Sequence, residues 1–412
     1  MAPILRLPLE LVASILCELD DIRFLPAAIL TCRHFYLSFR EHANIKNEVL
    51  QNQVGHQLLP YAVATLEAHR MPYPRQSLLS ILHHEPEPAA MAASLRLMPL
   101  PSLLEIGQMH DIVQNLATDF STDAWNLLDE GDQTCRGELA LSPAETLRLQ
   151  RAFYIVELCL AFFKSEDRLT GNPQEIRLTR YLSKHSPWEN EQLGCIHDYL
   201  EKRISQASVD VLSHDIEFGE LSIDYLTLGN DNYFKQLWIS QGLGFIHELI
   251  TESSYENKRS LLKSAFGEGG VSLCNALCML PDGTDPRLLD EYTEEEINAS
   301  FPRVWGKFDD EGPRIAWHYT HEGLPQGAWV MFDDNAGLRE RAYVFWDSAR
   351  LQRYNLLESF NDVPGDSSHM YTFENLDEME ESFNERSEIW QKGGQGYWSK
   401  GDESNITYPS VK

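Results

Sequence analysis

The sequence predicts a mainly α protein, and three observations carry that expectation. Helix starts are spelled out at Ser142-Pro143-Ala144-Glu145, at Ser186-Pro187-Trp188-Glu189 and, without the proline, at Thr293-Glu294-Glu295-Glu296. In each, a hydroxyl can accept an orphan N–H while a glutamate three residues on reaches back to the cap, and proline sits where its missing N–H costs nothing. Apolar residues recur at three- and four-residue spacings along most of the chain, which is the period of one helix face. Alternation that suits a strand is confined to a short region, leaving room for a few short strands near 314–347.

Three short helices are expected in residues 1–44. Pro8 suits a first helical turn. Leu11, Ile15 and Leu19 then recur every four residues, with Val12 and Leu16 beside them. Asp20-Asp21 can cap a second segment, in which Ile22, Leu25, Ile29 and Cys32 recur, and Pro26 breaks or restarts the run near Leu25. A piece of this size, close to the ~40 residues below which a domain usually needs help, must lean on the rest of its chain or on a partner.

In order, Leu7-Pro8-x-Glu10-Leu11, Ile15-Leu16-x-x-Leu19 and Cys32-Arg33-x-Phe35 closely resemble the F-box family. What the resemblance implies is a three-helix module that docks into a Skp-type adaptor and, through it, onto a cullin–RING ubiquitin ligase. Leu7, Pro8, Leu11, Ile15, Leu16 and Leu19 would then bury in the adaptor's groove, with Cys32, Arg33 and Phe35 closing the module. The resemblance covers residues 1–44 of 412, and one stretch departs from it: Ile22-Arg23-Phe24-Leu25-Pro26 is bulkier than the family's pattern and interrupted by proline.

Beyond the module, residues 45–140 read as a helical linker or subdomain, 141–392 as an irregular helical body and 393–412 as a polar, glycine-containing mobile tail. Helical recurrence runs over 56–69 and 103–116. From Pro143 to about Lys164 the pattern is apolar nearly all round, predicting a helix through the middle of the body. The helix from Pro187 to about Ser205 is more one-sided, and further helical runs cover 232–250, 261–279 and 375–392. Arg314 to His321 alternates Ile, Trp and Tyr with smaller or polar residues, as a half-buried strand would. Leu338, Ala342, Phe345 and Ala349 fit a helix equally well. Trp329 to Asp334, together with Arg341 to Asp347, also resembles a segment of large F-box-like proteins of filamentous fungi, which implies a lineage-specific recognition body. No repeat of the leucine-rich, WD40 or kelch kind is present.

Hydrophobic residues make up 43% of the chain, enough for a sizeable core, and 34 basic against 63 acidic side chains give a formal charge of −29. The first hundred residues hold 8 basic and 9 acidic side chains, so nearly all of that charge lies in the body. An acidic body argues against nucleic acid, which demands clustered Lys and Arg, and against an anionic membrane surface. Seven cysteines, sparse and odd in number, and no long uncharged apolar run point to a soluble protein of a reducing compartment, cytoplasmic or nuclear.

No phosphate-binding loop or nucleophile elbow is present. Cys274 and Cys278 lie one helical turn apart but have no neighbours in sequence to complete a four-ligand set, so they read as core residues. His318 and His321 read as part of a solvated acidic region. The expectation is therefore a non-enzyme without cofactor or metal. Trp305, Trp317, Trp329 and Trp346 crowd into some forty residues; they suit a core, and Trp317, Trp329 and Trp346 are also the best candidates for a substrate-facing surface. The function expected is a substrate-recruiting ubiquitin-ligase adaptor for an unidentified protein. The alternative is a helical scaffold whose N-terminal segment packs within its own chain. An exposed apolar face along residues 7–19 would favour the first, a covered one the second.

Overall fold

A computed structural model of the chain describes residues 6–70, 88–131, 137–162, 173–227, 232–266, 272–280, 287–300, 310–367 and 373–409. The fold is mainly α, with two short strands among the described residues. It divides into two units, Met1–Asp119 with Leu141–Phe162, and Phe120–Ala140 with Phe163–Lys412. The N-terminal helices and those over 45–119 fall within one unit. No described helix is long and apolar enough to cross a membrane.

The first unit opens with α1 (Leu9–Cys17), α2 (Phe24–Leu30), α3 (Arg33–Glu41), α4 (Ile45–Val54) and α5 (Leu59–Arg70). Pro8 precedes α1 and its carbonyl accepts from Leu11 and Val12 N–H, so proline starts the helix as its chemistry dictates. Val12, Ala13 and Leu16 turn inward, and α1 packs on α3 and α4. Side chains tie the ends of α1 in place. The Ser38 hydroxyl donates to Leu9 O at 2.7 Å, the His34 ring bonds Leu7 O at 2.9 Å, and Asn52 donates to Cys17 O at 3.0 Å. The Pro143–Phe162 helix packs on α5 and is buried all round from Ala152 to Leu160, as its unbroken apolar pattern requires. Its one charge in that span, Glu157, is 1% exposed and is met by His69 at 2.7 Å.

The second unit is organised by the Pro187–His214 helix, longer than its one-sided pattern promised. Short helices at Tyr233–Ile239, Leu243–Thr251, Tyr255–Ser264, Leu273–Cys278 and Ala336–Glu340 pack around it. The run expected over 232–250 is broken by Gly242, whose φ of +94° side chains rarely tolerate. The capping boxes at Ser142 and Thr293 form as well as the one at Ser186.

Two expectations need correction. Residues 314–321 are not a strand but part of the Gly312–His321 helix, in which Pro313, Ala316, Trp317 and His321 bury one face at helical spacing while Ile315 stays exposed. Residues 338–349 do not form one helix either. Ala342 takes a left-handed φ of +52°, ending the Ala336–Glu340 helix and starting a single 3-10 turn at Tyr343–Phe345. Residues 393–409, within the tail expected over 393–412, carry hydrogen-bonded structure. Gln395–Gly396 pairs antiparallel with Ile406–Thr407, Trp398 N–H donates to His214 O at 2.8 Å, and Trp398 joins Ile216 and Ile389 in a small apolar cluster.

Candidate functional site

On the N-terminal module, α1 is split lengthwise. Val12 is 0% and Leu16 2% exposed, whereas Leu11 is 52% and Ile15 44% exposed. Pro8 is also exposed, and the spacing 8, 11, 15 puts these three on one side of the helix. Leu7 and Leu19 are half-buried at the two ends of α1. Leu16, expected at a docking surface, is instead interior: it lies on the face that packs on α3 and α4, and no partner can reach it without opening the module. Cys32 and Phe35 are half-buried and Arg33 is exposed, at the start of α3.

The sequence reasoning missed three more apolar residues on this module. Phe24 and Leu30 on α2 and Tyr36 on α3 are 55%, 79% and 47% exposed. The signal lay in the departure noted at 22–26. Ile22 and Leu25, three apart, are both 0% exposed, which turns Phe24 outward. Beside the apolar surface, Arg23 forks onto Asp21 at 2.6–2.8 Å and also pairs with Asp111. Asp21 is held below the usual carboxylate range because the hydrogen bonds and charge of Arg23 outweigh the cost of its burial.

Trp317, Trp329 and Trp346 do not face a substrate: all three are 0% exposed. Their indole N–H groups are spent internally, on Trp329 O at 2.9 Å, Leu324 O at 3.4 Å and Arg341 O at 3.0 Å. Trp317 meets Trp188 and Trp329 at centroid separations of 5.7 and 5.8 Å, so these rings are core. Trp305 lies outside the described residues.

Beside that core lies a buried polar network that no motif announced. Arg339 donates through Nε to Asp198 at 2.6 Å and through Nη1 to Phe332 O at 2.8 Å and Glu191 at 3.4 Å. Asp198 in turn accepts from His197 Nδ1 at 3.2 Å. His197 Nε2 bonds Gln236 Oε1 at 3.0 Å, and Gln236 Nε2 donates to Glu201 at 3.2 Å. Burial alone would drive the His197 imidazole down, but the Asp198 hydrogen bond and the charges of Glu201 and Asp198 raise it to about 9. Burial lifts Glu191 above the usual carboxylate range despite Arg339, while Arg339 and His197 overcome burial to hold Asp198 below it. His197 is thus an imidazolium at neutral pH, donating from both nitrogens. The donor atoms of His197, Asp198 and Glu201 lie within 4.8 Å of one another, the one such metal-competent trio among the described residues.

Compared with family models, with curated proteins and with solved structures, the chain matches none.

Proposed function

We propose that the chain is a substrate-recruiting adaptor that docks a Skp-type protein, and through it a cullin, by the outer face of its N-terminal module. The observation that carries this reading is the split α1: Val12 and Leu16 anchor the helix while Leu11 and Ile15 remain in water. Apolar side chains left exposed together on one helix face gain by burial in a partner, about 1.5–3 kcal/mol each when fully covered. Leu11 and Ile15, exposed together on that face, therefore offer a gross gain of this size each, set against the cost of association. Pro8 begins that face and the side-chain ties from Ser38 and His34 fix its angle, so little ordering is left to be done on binding.

In this reading the acidic second unit holds the target protein while a separate enzyme transfers ubiquitin. Its role is proximity, and no chemical step falls to the chain itself. Trp317, Trp329 and Trp346, being buried, are excluded from the target-binding surface.

The test is recovery of a Skp-type adaptor and cullin on the tagged full chain, wild type against Leu11→Asp/Ile15→Asp. The reading requires recovery with wild type and loss with the variant, both with the same far-UV circular dichroism. A well-folded wild type that recovers neither protein leaves the scaffold alternative.

A further inference from the structure

We propose that Cys278, on the Leu273–Cys278 helix, is a site of reversible S-thiolation. It takes a mixed disulfide from a small-molecule disulfide of the glutathione class, with Cys274 one turn back as its hydrogen-bond donor. Both cysteines read as core residues in the sequence, yet only Cys274 is one. It is 4% exposed, whereas Cys278 is exposed beside Met279, itself 53% exposed. Among the other described cysteines, Cys159 and Cys195 are buried and Cys17 and Cys32 half-buried, so Cys278 is the most open to a bulky reagent.

The sulfurs of the pair lie 3.9 Å apart, within hydrogen-bond range for sulfur. Ser272 caps the helix by accepting Asn275 N–H at 3.0 Å, and Leu273, Ala276 and Leu277 are buried, which holds the pair in place. The buried member is the donor. Its thiol is pushed above its ordinary value by the hydrogen bond to Cys278, by burial, and by the charges of Cys278, Asp198 and Glu201, so it keeps its proton. That hydrogen bond draws the Cys278 thiol below its ordinary value despite partial burial. The positive charges of His197 and Arg339 act in the same direction, against Asp198. The exposed sulfur is thus the one that ionises, and the thiolate is the form that attacks a disulfide.

The helix also decides what the thiolate can pair with. Side chains four apart on a helix hold their Cβ atoms about 5–6 Å apart, whereas a disulfide needs about 3.5–4.5 Å. Cys274 and Cys278 therefore cannot bond each other while the helix is intact, and Cys278 takes its partner from outside the chain. In the step, the Cys278 thiolate attacks one sulfur of the small disulfide. One S–S bond forms and one breaks, and the second half leaves as a thiolate that takes a proton from solvent. Cys278 is oxidised and the departing thiol is reduced. With no resolving thiol in reach on its own helix, the adduct persists until an external thiol removes it.

The experiment incubates the reduced full chain with glutathione disulfide over a range of pH and reads adducts by intact mass and peptide mapping. An adduct on Cys278 ahead of every other cysteine, removed by dithiothreitol, is the expected result. Its formation is expected to rise with a pH midpoint below the ~8.5 of a free cysteine. Cys274→Ala is expected to raise that midpoint. The reaction at neutral pH then slows by about threefold for each unit, since fewer thiolates form but each is the better nucleophile. Cys274→Ser, which keeps a donor, is expected to stay near wild type, with circular dichroism unchanged in both variants. An unmodified Cys278, a Cys274–Cys278 disulfide in place of the adduct, or a midpoint shared by wild type and Cys274→Ala overturns the proposal.

Discussion

At the scale of single residues, the second unit keeps charges out of water by spending them on each other. Arg339 is 3% exposed and answers two carboxylates, Glu191 and Asp198. Removing the cation and keeping its bulk leaves two acids facing one another in a dry site. Arg339→Met is therefore expected to cost about 3–5 kcal/mol in urea unfolding. A variant as stable as wild type would show that water reaches this network. His197 carries the complementary pH signature. Its imidazole is raised from an ordinary 6.5 to about 9, so its contribution is complete below 6.5 and is lost as pH rises through 9. The stabilisation at stake is on the order of 3 kcal/mol. Wild type is expected to lose stability over that window more steeply than His197→Gln, which keeps polar contacts but cannot titrate; parallel slopes would remove the imidazolium from the account. None of these partnerships could be read in advance, because Glu191 and Arg339 are 148 residues apart in the chain and only the fold joins them.

At the scale of elements, local chemistry was legible where it acts locally. All three written capping boxes form, and the apolar-all-round pattern after Pro143 is a buried helix. The Ser186 box is itself buried, with Ser186 0% and Glu189 3% exposed, so water cannot stand in for a lost cap. Ser186→Ala is expected to cost about 2 kcal/mol, the upper end for a cap, measured by denaturant midpoint at constant slope. A loss of a few tenths would mean that another group satisfies the freed N–H. The errors arose where tertiary contacts overrule the local pattern. The alternation of Ile315, Trp317 and Tyr319 reads as a strand, yet Pro313, Ala316, Trp317 and His321 bury together and select the helix. In the tail, where glycines and polar residues dominate, Trp398 finds Ile216 and Ile389 across a long stretch of chain. Arg386 extends the same theme, donating to the carbonyls of Leu212 and Asp215 at 2.7 and 2.8 Å where the Pro187–His214 helix ends.

At the scale of the whole molecule, the proposed reading assigns stability and docking to two different faces of one short helix, Val12 and Leu16 against Leu11 and Ile15. The mainly α class and the N-terminal helices were legible from period and prolines; which side of α1 faces water was not, since Leu11, Val12, Ile15 and Leu16 are all apolar. The assignment carries a stability prediction. Leu16→Ala, at 2% exposure, is expected to cost about 2–5 kcal/mol, whereas Leu11→Asp/Ile15→Asp is expected to stay within about 0.5 kcal/mol of wild type by thermal unfolding. A large loss in the aspartate variant would mean that the outer face is covered by the chain itself.

The most direct measurement mixes the purified chain with a purified Skp-type adaptor and reads the complex mass by light scattering after size exclusion. The account predicts a one-to-one complex with wild type and separate monomers with Leu11→Asp/Ile15→Asp. A wild type that elutes alone, or a variant that binds as well as wild type, would contradict it.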